Sequence, residues 1–325
     1  MQTVNWGILG AAKFARQHMG PAIHAAAGAR LNGVASRSGD ISGFTAFAPD
    51  CVGFDSYDAL LASPEIDAVY IPLPNHLHVE WAEKALRAGK HVLCEKPIAM
   101  KAGEIDALIA LRDETGLLCA EAYMIVHHPQ WQRAREIVQS GGIGDLVLVD
   151  SVFSYDNSAE TDNIRNKPDT GGGGIPDIGV YTFGSVRFVT GEEPSEVDAQ
   201  ITWENGVDVF AHVTADFPSF RYSSVTSMRM HPRQEVTFQG RDGVLKLTAP
   251  FNPNVFGEAR LHWHRNTHGG GAPSVTVERW PGVNHYVLQV EAFCRSVSEG
   301  ADYPATLEFA RGTQAMIDEV FAAAG

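Results

Sequence analysis

The chain predicts a two-domain α/β protein: a parallel sheet flanked by helices, then an α+β domain with a large, open, mainly antiparallel sheet. Three observations carry this. The first third alternates short apolar strands with amphipathic helices, the pattern of right-handed strand–helix–strand units on a parallel sheet. From Leu146 onward the apolar runs lengthen and alternate with polar residues, as in antiparallel strands with one face buried. The 325 residues also exceed what one core usually serves. The division is expected near residue 122, giving domains 1–122 and 123–325.

The elements follow in order. Val4-Asn5-Trp6-Gly7-Ile8-Leu9-Gly10 reads as a strand breaking into a turn, with a helix over 13–27 and a strand over 31–36. A short helix over 57–61 precedes a strand over 68–71. Next comes a helix in which Val79, Ala82 and Leu86 oppose Glu80, Glu83, Lys84 and Arg87. Gly89 stops it, being free to turn left-handed. His91-Val92-Leu93-Cys94 has the apolar character of a buried parallel strand. Helix 103–115 and strand 117–120 complete the first domain. In the second, a helix over 129–140 is followed by strands at 146–155, 195–203, 208–217, 224–230, 234–240, 243–249 and 274–280. Gly240-Arg241-Asp242-Gly243 marks a hairpin, 266–273 a glycine-rich loop, and 285–299 and 307–324 two closing helices.

A net charge of −14 argues against nucleic acid and anionic membranes as partners. The fractions of 44% apolar and 20% charged residues are those of a globular chain. Four cysteines without CxxC spacing argue against disulfides and zinc. His127, His128, His262, His264 and His268 lack metal-site spacing, so no metal is expected. Neither a leader nor an apolar span is evident, and a cytoplasmic protein is expected.

The opening turn reads Gly10-Ala11-Ala12-Lys13-Phe14-Ala15, against the GxGxxG fingerprint of Rossmann-type dinucleotide sites. Gly10 can make the tight turn, while Ala12 and Ala15 are small enough for pyrophosphate and helix to approach. Read alone, the turn serves equally well as a plain strand–helix junction. Sites selective for NAD usually carry an acidic residue after the second strand; here the run is Ala35-Ser36-Arg37-Ser38. Ser36 and Arg37 suit a 2′-phosphate, which favours NADP over NAD, the other reading being an ordinary exposed arginine. Pro72-Leu73-Pro74-Asn75 forms an extended loop past the third core strand, where Asn75 and His78 either bind ribose or cap the next helix. Glu95-Lys96-Pro97 places a lysine at a strand's carboxyl end, where open α/β sheets bind ligands. In the second domain, Gly171-Gly172-Gly173-Gly174-Ile175-Pro176 leads to Asp177 and Tyr181, four apart on one helix face. They read as an acid/base pair, or as a core tyrosine with an aspartate favouring the helix dipole. Tyr155 and Tyr286 line the substrate pocket or pack in the core.

Together PNHLHVEWAEKALRAGKHVLCEKP, EAYMIVHHPQW and GGGGIPDIGVYTFGSVRFVTGEEP resemble the Gfo/Idh/MocA oxidoreductases over nearly the whole chain. The EAYM segment and Tyr181 resemble the branch of NADP-linked D-xylose dehydrogenases and dimeric dihydrodiol dehydrogenases. The resemblance implies that Lys96 is the catalytic lysine, that the bond to Pro97 is cis, and that Tyr181 exchanges the proton with Asp177 nearby. It also implies that Glu95, Pro97, Glu121 and Arg165 lie by the cofactor, and that the chain forms a dimer or higher homo-oligomer through its open sheet. Three positions depart from the family pattern: Ala12 for a commoner glycine, Ile164 for a frequent tryptophan, and Pro176 at a helix start usually free of proline.

The implied activity is hydride transfer between a nicotinamide and a hydroxyl of a sugar, polyol or dihydrodiol. A phenol titrates near about 10, and a neighbouring ammonium lowers that value, so Tyr181 gains from Lys96. The alternatives are a non-enzymatic nucleotide sensor on the same fold and a glycosidase using transient oxidation.

Overall fold

In this computed structural model, residues 2–36, 38–266 and 273–324 are described; Arg37 and His268 lie outside them, as does most of the 266–273 loop. The chain forms two compact units. One takes the residues up to His127 and adds Asn284–Arg311; the other takes His128–Val283 and the residues from Gly312 onward.

The first unit opens with β1 (Val4–Leu9), a π-turn at Ala15–Met19, α1 (Gly20–Ala25) and β2 (Ala29–Ala35). It continues with α2 (Ser42–Thr45), β3 (Val52–Phe54), α3 (Tyr57–Ala62), β4 (Ala68–Ile71) and α4 (His78–Arg87). β5 (His91–Cys94), α5 (Ala102–Thr115) and β6 (Cys119–Glu121) complete the run. The six strands pair in parallel in the order β3-β2-β1-β4-β5-β6. The order reverses at β1, which opens a crevice at the carboxyl ends of β1 and β4.

Local chemistry sets the element ends. Ser56 caps α3 by accepting from Ala59 N–H at 3.0 Å. Glu104 accepts from the N–H groups of Met100 and Lys101 at the start of α5. β4 is buried throughout, as a central parallel strand must be. Lys90, also buried, gives its ammonium to the carbonyls of Ser63 and Ile66, both at 2.7 Å.

The division expected at residue 122 places Asn284–Arg311 in the second domain, whereas the structure groups this segment with the first unit. The segment holds α8 (His285–Glu299), capped by the Asn284 side chain. Its Phe293 packs on the buried Trp6 of β1 with ring centroids 4.8 Å apart. That aromatic contact is long-range, so no local pattern announces it.

The second unit begins with α6 (Pro129–Gln139) and β7 (Leu146–Asp156). A π-turn at Ile175–Gly179 runs into α7 (Val180–Thr190). Then come β8 (Glu196–Glu204), β9 (Val207–Asp216), β10 (Arg221–Ser227), β11 (Arg229–Gly240), β12 (Gly243–Thr248), β13 (Ala259–Arg265) and β14 (Ser274–Trp280). The strands order as β14-β13-β12-β11-β7-β10-β9-β8, antiparallel except for the parallel pair β7 and β10. α9 (Leu307–Ala323) closes the chain. β13 was not anticipated, although Ala259, Leu261 and Trp263 alternate with Arg260, His262 and His264 as a strand with one covered face should. Burial in β12 alternates strictly, as expected of a sheet with one covered face. That face carries an aromatic stack, Phe153 on Phe251 at 5.0 Å and Trp131 on Phe251 at 6.0 Å.

Candidate active site

In the first unit, Gly10 makes the turn after β1 with φ +115°, a conformation side-chain-bearing residues avoid. Its N–H bonds to Ala35 O at 3.0 Å, tying the turn to the end of β2. The turn opens on a cavity of about 420 Å³. Gly10, Ala11, Ala12, Ser36, Leu73 and Pro74, all read from the sequence, line it. Ser38 and Pro72, which stand in the same two runs, line it too, as do Arg16, Asp40 and Tyr57, which were not anticipated. Arg16 lies within the first turn of the nucleotide helix, a position that could have flagged it. The hydroxyls of Ser36 and Ser38 stand 3.0 Å apart, so two hydroxyls and a guanidinium share one cavity wall. Such a donor set suits a phosphate. Ala15 is fully buried in the π-turn, and Phe14 packs on Tyr286 at 5.6 Å.

Two expectations need correction. His78 is fully buried, and its Nδ1 and Nε2 each lie 2.7 Å from a backbone carbonyl, those of Pro97 and Leu73. Neither nitrogen is left for ribose, so the ring joins the loop after β4 to the segment after Lys96. Burial lowers its pKa to about 4, against the two carbonyls, which favour the imidazolium. Nor does α4 start on an Asn75 cap: a 3-10 turn at Asn75–Leu77 feeds it, without a side-chain cap bond.

Lys96 follows β5, and its bond to Pro97 is cis, as the resemblance implied. Glu95 accepts from Tyr70 O–H at 2.6 Å, and burial, then Glu95, holds that phenol well above its usual range. Glu121 is buried and accepts from Ile98 N–H at 2.9 Å, fixing the chain just past Pro97. Tyr286 packs on Phe14 and His18 in the first unit, and burial raises its phenol.

In the second unit, the loop 171–174 enters the π-turn that carries Asp177, and Tyr181 lies in the first turn of α7. Asp177 Oδ2 accepts from Tyr155 O–H at 2.7 Å and pairs with Arg165 Nε at 2.8 Å. Burial, reinforced by Asp177, raises the Tyr155 phenol, and the Asp177 charge raises the Arg165 guanidinium. Tyr181 is 6% exposed and packs on Phe153 and Phe251, each at 5.8 Å. The sequence pairs Asp177 with Tyr181 and offers Tyr155 and Arg165 separately; the structure ties Tyr155, Arg165 and Asp177 into one hydrogen-bonded group. Asp208 of β9 was missed. It is buried, accepts from Ile175 N–H at 2.6 Å, and burial pushes its carboxyl up to about 6.

The class this defines is a dinucleotide-binding oxidoreductase with a separate α+β unit bearing a carboxylate–phenol group. Residues 4–123 match the family described as "Oxidoreductase family, NAD-binding Rossmann fold", and residues 131–246 match the GFO/IDH/MocA C-terminal domain. The chain therefore belongs to the Gfo/Idh/MocA family of NAD(P)-dependent oxidoreductases. It is 41% identical over 286 residues to dTDP-3,4-didehydro-2,6-dideoxy-alpha-D-glucose 3-reductase of Streptomyces violaceoruber, covering 87% of this chain and 79% of that one. It is 33% identical to D-xylose 1-dehydrogenase (NADP(+)) 2 of Haloferax volcanii, covering 98% and 97%. The fold superposes on KijD10, a 3-ketoreductase from Actinomadura kijaniata solved with NADP and TDP-benzene, with TM-score 0.89 and 28% identity over 99% and 98% of the two chains. Solved variants of KijD10 replace a lysine with alanine or glutamate and a tyrosine with phenylalanine.

Proposed function

We propose that the chain is an NADP-dependent oxidoreductase acting on a hydroxyl or keto group of a sugar, free or nucleotide-linked. The observation that carries this is the cavity at the switch point of the parallel sheet. Its wall holds Ser36, Ser38 and Arg16, and Lys96 follows β5, which lies two strands from β1 in the same sheet. The relatives named for NADP and for sugar substrates support it.

A bound nicotinamide supplies hydride chemistry, which no side chain can. Residues of this chain handle the proton and the geometry. Tyr181 takes the hydroxyl proton in oxidation and returns one to the forming alkoxide in reduction. The Lys96 ammonium favours the phenolate and holds the reacting oxygen. Asp177, pinned by Tyr155 and Arg165, accepts a hydrogen bond from a substrate hydroxyl and orients the ring. Exposed Val275 and Val277 on the open face of the large sheet support association of two copies through it, checked by light scattering of the protein and of Val277→Glu.

The test is a panel of aldoses, polyols, trans-dihydrodiols and nucleotide-linked keto sugars, read by NADPH and NADH absorbance in both directions. Turnover on at least one sugar class, faster with NADP(H), is expected. Nicotinamide binding without turnover on any compound overturns the enzyme reading in favour of a sensor.

A further inference from the structure

Asp208 belongs to β9 and is 1% exposed. Its carboxylate accepts from Ile175 N–H at 2.6 Å, and the neighbouring backbone amides of Gly174 and of Asp208 itself favour the ionised form against burial. Among the described residues no lysine, arginine or histidine forms an ion pair with it. A buried carboxylate without a cation is costly, and these amides are what hold it. The glycine loop is shaped to it. A Cβ on Gly173 would fall 2.1 Å from Asp208 Oδ1, and φ there is +126°. A Cβ on Gly174 would come within 3.2 Å of Oδ2. The Ile175 amide that Asp208 holds begins the π-turn, with Asp177 two residues further on and Tyr181 one turn beyond that.

We propose that Asp208 is a positioning residue for the reaction: by fixing the Ile175 amide beneath the Gly173–Gly174 loop, it sets where the helix start presents Asp177 and Tyr181. This rests on the oxidoreductase reading above. Asp208 touches neither substrate nor cofactor and acts through the loop. Its charge also bears on Tyr155, one of the two groups that pin Asp177. Gly173 and Gly174 thereby acquire a use in seating a buried carboxylate. Gly173 is the residue that lets a carboxylate seat under the loop.

The experiment compares Asp208→Ala, Asp208→Asn and Gly173→Ala with the unchanged protein, on the sugar found in the panel. Asp208→Ala is expected to lower kcat roughly 10²-fold, the loss that follows a small misplacement of reacting groups. NADPH affinity, measured by fluorescence titration, should stay within about twofold, since the nucleotide turn belongs to the other unit. Asp208→Asn keeps an amide oxygen for Ile175 N–H and should recover about tenfold of the loss. Gly173→Ala pushes on the same contact from the loop side and should reproduce the kcat loss; it decides the matter if Asp208→Ala does not fold. Amide exchange at Ile175 should quicken in Asp208→Ala and Gly173→Ala, which remove or displace the acceptor, a readout that needs no substrate. Unchanged kcat in Asp208→Ala or Gly173→Ala overturns the proposal, as do kcat and NADPH affinity falling together or unchanged amide exchange. Absence of turnover in the unchanged protein overturns the oxidoreductase reading instead, and amide exchange then decides the anchoring alone.

Discussion

Replacing Gly10 with alanine tests the nucleotide turn where its geometry is least forgiving. At φ +115° a side-chain-bearing residue is strained, by about 1–3 kcal/mol. The new Cβ would stand 3.2 Å from Leu73 Cδ2 and 3.3 Å from the Tyr57 hydroxyl, both part of the cavity wall. Each must yield by a few tenths of an ångström, or the turn must rotate. Either response moves groups that would face the cofactor. If the strain is relieved at the cofactor's expense, NADPH affinity falls by roughly 5- to 150-fold, at 1.4 kcal/mol per factor of ten. If it is retained in both states, it appears as lost stability instead. Fluorescence titration with NADPH and thermal unfolding together capture both responses. Affinity and melting temperature that both match the unchanged protein would refute the assignment of this turn as the cofactor cradle.

Other predictions bear on the second unit and on acid. Tyr155→Phe removes a charge-assisted hydrogen bond to Asp177, worth about 1.5–3 kcal/mol, and should raise KM for the sugar or lower kcat while leaving NADPH affinity unchanged. Arg165→Leu leaves the Asp177 carboxylate without its cation and should cost more than Tyr155→Phe in the same assay. Acid should destabilise the fold. Burial lowers His78 to about 4, His127 to about 3 and His128 to about 4, so each contributes stability above the unfolded value of 6.5 that is lost as pH falls toward the folded one. Denaturant titration should show a loss of up to about 2 kcal/mol per imidazole from pH 7 to pH 5. Asp208 opposes this: its carboxyl is raised to about 6, so its contribution is fully present only below the unfolded value near 3.8 and is lost as pH rises through 6. Three imidazoles outweigh one carboxyl, so a higher stability at pH 5 than at pH 7 would contradict these burial assignments.

Residues whose place in the fold is set by a local motif were legible in the sequence. Gly10 follows a strand and precedes a helix, and Lys96 ends an apolar run, so short-range patterning placed both correctly on the parallel sheet. Tyr155 and Arg165 could be picked out individually, but that both converge on Asp177 depends on β7 and the loop after it, twelve or more residues away. His78 misled because a histidine after a proline-rich loop looks like a ligand, whereas burial turned both nitrogens onto carbonyls. Asp208 gave no signal at all: one acidic residue beside Val207 and Val209 reads as the polar step of an alternating strand. Its meaning depends on Gly173 and Ile175, which reach it only through the fold. Tyr286 likewise changed context, because the segment Asn284–Arg311 returns to the first unit, where Phe293 finds Trp6.

The central claim is that Lys96 and Tyr181 handle the proton of an NADP-dependent reaction on a sugar. The most direct measurement is steady-state turnover of the best sugar by Lys96→Ala and Tyr181→Phe, with NADPH binding measured alongside. Each replacement is expected to lower kcat by roughly 10²–10⁴-fold, the range for loss of a general acid or base, with NADPH still bound by Tyr181→Phe. Turnover that persists near the unchanged rate in both variants would contradict it.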